Sequence, residues 1–164
     1  MVTQMDRLLP KPHRRTRLFG EQVVQCFAVP LLRSCDFPIT VTNPFAGAPF
    51  RLRSYAHRVY WYRPRLRETA TVARMDALVR RGDTVLEVGG HIGYLTQYFA
   101  RKVGQTGQVH VFEPGRSNQE LLQHNIEPFS QCAHVDCAVG TEKGKSLFFE
   151  ENLGGFMNSL DPDF

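Results

Sequence analysis

"TVLEVGGHIGYLTQYFA", residues 84–100, decides how the rest of the chain is read. Its first five residues are apolar or β-branched apart from Glu87, the pattern of a buried strand. Gly89, Gly90 and Gly93 follow within five positions. Leu95, Tyr98, Phe99 and Val103 then recur at helical spacing, and Gly104 and Gly107 end that run. A strand, a glycine turn and a helix in this order bring a ligand close to the backbone. Glu87 raises the question of which ligand accepts a negative charge at the mouth of that turn.

Working outward, the same alternation repeats. "VHVFE" (109–113) reads as a second strand. Ser117 and Glu120 form a capping box, and Leu121, Leu122 and Ile126 give the helix after it an apolar face that Pro128 ends. "AHVDCAV" (133–139) reads as a third strand, and Gly140 and Gly144 suit a turn before a hairpin strand at "KSLFFEE" (145–151). Upstream, the spacing predicts a helix over 66–81, with Val72, Met75, Leu78 and Val79 on one face and Gly82 as its stop. Short strands are expected at 38–42 and 49–53, with turns at Asn43-Pro44 and Gly47. Strands alternating with helices at this pitch predict an α/β protein with a Rossmann-like, doubly wound, mostly parallel sheet. Residues 1–35 read as a basic, partly disordered N-terminal arm. Residues 36–164 read as the N-terminal portion of the domain, three parallel strands plus a hairpin.

A length of 164 residues fits one domain, and 42% hydrophobic residues argue against global disorder. Residues 1–81 hold 15 Lys/Arg against 5 Asp/Glu, whereas residues 82–164 hold 5 against 11. The basic half carries no nucleic-acid module and reads as a solvated arginine-rich face, or as arginines that pair with the acidic half. The cysteines at 26, 35, 132 and 137 lack paired zinc-ligand spacing, so no metal is expected, and reduced, mostly buried thiols are. The longest apolar run, "VVQCFAVPLL" (23–32), is half the length of a membrane span. No membrane contact is expected, and a cytoplasmic location is the default. Tyr55, Tyr60, Trp61 and Tyr62 read as core or hydrogen-bonded edge residues, and His57, His110, His124 and His134 as structural or surface residues.

In a parallel sheet of this kind, ligands bind beyond the carboxyl ends of the strands. Glu113 ends the second strand, the position that reads ribose hydroxyls, and its carboxylate can accept from both the 2′- and 3′-OH. Each such sheltered bond contributes about 1.5–3 kcal/mol. Two ligand classes use this layout. A dinucleotide needs G-x-G-x-x-G for its pyrophosphate. Here His91 replaces the second glycine, Tyr94 replaces the third, and Glu87 would repel phosphate. S-adenosylmethionine has no phosphate and carries a sulfonium and an ammonium, which Glu87 would attract.

The run E-V-G-G-H-I-G-Y-L-T, then V-H-V-F-E-P-G, then a helix with "NQELLQHNIE", resembles the class I S-adenosylmethionine-dependent methyltransferases, and within them the FkbM-type family. The family pattern falls on Glu87, Gly89, Gly93, Tyr94, Thr96, Phe112, Glu113, Pro114, Asn125 and Ala138-Val139-Gly140. His91 stands where the family usually has Asn, and Asn158-Ser159-Leu160 resembles its short N-S-L segment. The resemblance covers about 55–160. It implies a cofactor site at Glu87, Gly89, Gly90, His91, Gly93, Glu113 and Pro114, with Asp136, Cys137 and Ala138 near the adenine. It also implies methyl transfer to an oxygen of a small-molecule or sugar acceptor, with no general base identified. The family's later K-I-D-x-E-G-like strand is absent, so an incomplete fold is expected, with the 84–88 strand at a bare edge. The alternatives are a non-catalytic remnant or interaction module, a dinucleotide-dependent enzyme, and a nucleic-acid binder using the basic arm.

Overall fold

The computed structural model describes residues 29–62, 68–151, 154–155 and 158–160. Its elements are α1 (Val29–Ser34), β1 (Pro38–Thr42), β2 (Pro49–Arg53), α2 (Arg58–Tyr62), α3 (Thr69–Leu78), β3 (Thr84–Val88), α4 (Tyr94–Val103), β4 (Gln108–Phe112), α5 (Arg116–Ile126) and β5 (Cys132–Val135). Residues 1–28, most of the expected basic arm, lie outside the described residues, as do 63–67 at the start of the helix expected over 66–81.

The fold is α/β and Rossmann-like. β3, β4 and β5 pair in parallel in that order, with Val85 opposite Val109 and Val111 opposite His134. The apolar stripe of α4 packs Tyr98, Phe99 and Val103 on Val109, and α5 packs Leu122 and Ile126 on Val111. These two helices therefore cover one face of the sheet. The other face is open at β3, where Leu86 is 67% and Val88 63% exposed. Among the described residues β3 has no strand on its outer side.

β1 and β2 form a separate antiparallel hairpin. Phe50 and Leu52 of the hairpin bury themselves with Tyr60, Ile92 and Tyr94, which seats it on the glycine turn. A buried amide network fixes the seat. Asn125 accepts from Arg51 N–H at 2.7 Å and donates to the carbonyls of Arg51 and Ile92 at 2.9 and 2.8 Å. Gln97 donates to the carbonyls of Pro49 and Asn125 and accepts from Asn43, whose amide also reaches the Tyr94 carbonyl. Buried amides with their partners in place rigidify the elements they join. Here they join β2, α4 and α5 around the turn.

Several sequence expectations need correction. The third strand stops at Val135, not 139, because its last partner, Phe112, is also the last residue of β4. The capping box is not formed. The N-cap of α5 is Gly115, and the Glu150 carboxylate accepts from the Arg116 and Ser117 N–H groups at 2.9 and 3.1 Å. Among the described residues, the expected hairpin at 145–151 is reduced to one antiparallel bridge, Phe149 with Ser159. α3 ends at Leu78, four residues before Gly82, and Leu78 is 67% exposed because no described element lies over it. Cys35 and Cys137 are exposed thiols, one just past α1 and the other in the loop after β5.

Candidate functional site

The glycine turn is held against the end of β4. The N–H groups of Gly89 and Gly90 both donate to the Phe112 carbonyl, at 2.9 and 3.3 Å. Gly90 lies so close to β4 that a Cβ there would stand 2.0 Å from Val111 Cγ2. Gly89 and Gly93 have φ of 79° and 89°, the left-handed region that favours glycine. His91 occupies the same region at φ 51°, where His and Asn are enriched over other side chains.

His91 is fixed at both ring nitrogens. Nδ1 accepts from the Tyr60 hydroxyl at 3.1 Å, and Nε2–H donates to the Gly154 carbonyl, which assigns the tautomer. Its backbone N–H donates to Glu113 Oε2 at 2.8 Å.

Glu113 is 5% exposed. Its Oε1 accepts from Gly115 N–H at 2.9 Å and from the Asn118 amide at 3.3 Å. A carboxylate offers about four acceptor positions, and three are taken, so one stays open to a ligand hydroxyl. The 3.3 Å Asn118 bond is the longest of the three and the easiest to exchange.

Glu87 is the opposite case. The residue as a whole is partly exposed, yet its Oε2 is enclosed and has no hydrogen-bond partner. Burial pushes its carboxyl up to about 7 from an ordinary 4.5. The Thr96 hydroxyl beside it pulls the other way, and the charge of Glu113 adds to the rise. Because ionisation is easier in the unfolded chain, the contribution of Glu87 to stability is fully present below pH 4.5 and is lost as pH rises to about 7. Glu87→Gln removes that cost. Thermal unfolding should show it more stable than wild type at pH 8, by up to about 3 kcal/mol, with the gap closing by pH 4.5.

These residues line one cavity of about 480 Å³, within the roughly 300–1,000 Å³ typical of small-molecule sites. Glu87, Gly89, Gly90, His91, Glu113, Pro114, Cys137 and Ala138 contribute to its wall. Gly93 does not. It sits beneath the turn, where an added Cβ would lie 3.1 Å from Leu122. Asp136 is also outside the wall, exposed and hydrogen-bonded to the Gln119 amide. Sequence reasoning did not place Tyr60, Glu68, Tyr94 or Gly155 at the site, although all four line it. The left-handed φ of 60° at Glu68 has no signature in the sequence, whereas the Gly154-Gly155 pair is a turn signal. Three glutamates and no Lys or Arg are found among the described wall residues.

Beyond the wall, His57 accepts from Arg53 N–H at Nδ1 and donates from Nε2 to the Gly154 carbonyl, at 3.0 and 3.3 Å. Burial holds this imidazole neutral, down to about 4. No group of acids, histidines and cysteines among the described residues is arranged to hold a metal. No helix among them is long and apolar enough to cross a membrane.

No protein-family model matches the chain, and no curated protein matches it. Among solved structures it is similar to a candidate rRNA-methylase from Clostridium thermocellum, at 18% identity and TM-score 0.41 over 43% of this chain and 39% of that one. It is also similar to a protein-L-isoaspartate O-methyltransferase, at 30% identity and TM-score 0.37 over 42% and 22%. A fibrillarin from Aeropyrum pernix with bound S-adenosyl-L-methionine matches at 16% identity and TM-score 0.38 over 43% and 32%. The chain spans less than half the length of each of these proteins.

Proposed function

We propose that the chain binds S-adenosylmethionine at the glycine turn and serves methyl transfer of the FkbM type, to an oxygen of a small-molecule or sugar acceptor. The observation that carries this reading is the enclosed Oε2 of Glu87, which has no hydrogen-bond partner, in a cavity whose described wall has no Lys or Arg. Such a wall suits a cation and opposes a pyrophosphate. When bound, this cofactor supplies an electrophilic methyl group on a sulfonium.

The chain's own residues then have distinct parts. Glu87 supplies the negative charge that faces the cationic end of the ligand. Glu113 keeps one acceptor position for a ribose hydroxyl and spends the others on the turn itself. Leu95, Phe112, Ala138 and Val139 give the cavity apolar wall against which a base can lie. Catalysis of this kind rests on proximity and alignment, which need a turn that does not move. The Phe112, Glu113 and Tyr60 hydrogen bonds to the turn supply that rigidity. The oxygen acceptor is supported by the motif resemblance alone.

Calorimetric titration of the full chain with S-adenosylmethionine, S-adenosylhomocysteine and NAD tests the reading. S-adenosylmethionine should bind with NAD at least about tenfold weaker, since one lost or repelled charge contact is worth roughly that factor. Glu87→Gln should weaken S-adenosylmethionine more than S-adenosylhomocysteine, which keeps the ammonium but lacks the sulfonium charge. Tighter binding of NAD would overturn the proposal.

A further inference from the structure

The cavity is closed on one side by residues far along the chain. Gly155, Asn158, Ser159 and Leu160 all stand in its wall, next to the turn and to Glu113. Their attachment is made of polar contacts to two carbonyls. The Gly154 carbonyl accepts from two imidazoles, His57 and His91, whose ring centroids lie 5.3 Å apart. The Gly155 carbonyl accepts from the Asn118 amide at 3.3 Å, the same amide that reaches Glu113. The glycine pair is fitted to this place. Gly154 and Gly155 have φ of 127° and 70°, and a Cβ on Gly155 would stand 2.3 Å from Asn118 Oδ1. The segment folds back on itself through reciprocal Phe149 and Ser159 backbone bonds at 2.8 and 3.0 Å, and Asn158 Oδ1 accepts from Glu151 N–H at 3.0 Å. Glu150 anchors its near end on the N-terminus of α5.

We propose that Gly154, Gly155, Asn158, Ser159 and Leu160 form a strap that closes the ligand cavity, and that His57, standing outside the cavity, sets how firmly the strap is held. The strap shares its holders with the ligand site. His91 grips Gly154 with its ring and Glu113 with its backbone, while Asn118 divides its amide between Gly155 and Glu113. A ligand hydroxyl on the open position of Glu113 bonds the same carboxylate that holds the Asn118 amide and the His91 N–H, so it reinforces both holders of the strap. Closure and occupancy are then linked. Only this linkage rests on the proposed cofactor; the strap's attachment does not. The neighbours His57 faces, Arg53, Asp36, Tyr60, His91 and Glu151, belong to the hairpin, the link between α1 and β1, α2, the turn and the strap's own segment.

Hydrogen exchange of the full chain, wild type against His57→Ala, reads the strap directly. The amides of Phe149, Glu151 and Ser159 should be protected in wild type and exchange about 2- to 10-fold faster in the variant, the range for one lost hydrogen bond. Peptides of β3 and β4 should be unchanged. S-adenosylhomocysteine should also dissociate faster by a similar factor in stopped-flow displacement. Gly155→Ala, which changes no buried core side chain, should give the same pattern and serves if His57→Ala does not fold. Unprotected strap amides in the wild type, or equal protection in all three proteins, would overturn the proposal. If the thioether does not bind at all, the cofactor reading fails, and exchange alone still decides the strap.

Discussion

Glu113→Ala should be among the most damaging single substitutions in the chain. It strands the His91 and Gly115 N–H groups and takes one of two acceptors from the Asn118 amide, all gathered on one buried carboxylate. A buried donor left unsatisfied costs about 1–3 kcal/mol, so the loss should be about 3 kcal/mol or more. For a chain of this length that lowers the melting temperature by about 6–12 °C. Affinity for S-adenosylmethionine should fall about 10- to 150-fold, from the lost hydroxyl bond and the loosened turn. Glu113→Gln separates the two effects. It keeps an acceptor for one or two donors, so it should recover part of the stability while binding stays weak. Unchanged melting in Glu113→Ala would show that the carboxylate does not hold the turn.

Gly90→Ala should be as severe for a different reason. The added methyl meets Val111 Cγ2 at 2.0 Å, and Val111 is fully buried between the sheet and α5. Neither side has room to yield, because the turn is pinned to the Phe112 carbonyl. Overpacking of this kind costs about 1–3 kcal/mol and occasionally more, and a contact this short belongs at the upper end. Val111→Ala should relieve it, so the double variant should be more stable than the two single effects predict. Additive effects in that double-mutant cycle would mean the turn moves away from β4 instead.

Much of the fold was legible from local pattern. The strand at 84–88, the glycine turn and the helices on either side of β4 each carry their own periodicity, and all three appear in place. What local pattern missed was set by distant partners. Ser117 and Glu120 have the spacing of a capping box, yet α5 starts at Arg116, after its N-cap Gly115, and its first N–H groups are met by Glu150, more than thirty residues on. Leu78, Leu86 and Val88 are apolar, but no described element covers them. Asn125 was visible as a motif position, but its work of tying β2 to the turn spans 74 residues.

The site was legible to the same extent and for the same reason. Glu87, Gly89, Gly90, His91 and Glu113 are close in sequence or placed by strand register, so the pattern brought them together. Glu113 differs from its expected role of accepting two ribose hydroxyls, since three protein donors leave it one open position. Tyr60 was read as a core residue, and it is buried in the core. Its hydroxyl also fixes His91, a contact across 31 residues. The Gly154-Gly155 strap, clasped by His57 and His91, depends on separations of 97 and 63 residues that no local pattern encodes.

The central claim is that Glu87 is the receptor for a cationic adenosine ligand, and its raised carboxyl makes the claim measurable. Titration of S-adenosylmethionine at pH 5.5 and 7.0, on wild type and Glu87→Gln, reads it most directly. Between those values Glu87, at about 7, goes from almost wholly protonated to about half ionised. Wild-type affinity should therefore rise about tenfold, with protons released on binding, while the variant stays weak and flat across the range. A pH-independent affinity in wild type, or a variant that binds as tightly as wild type, would contradict it.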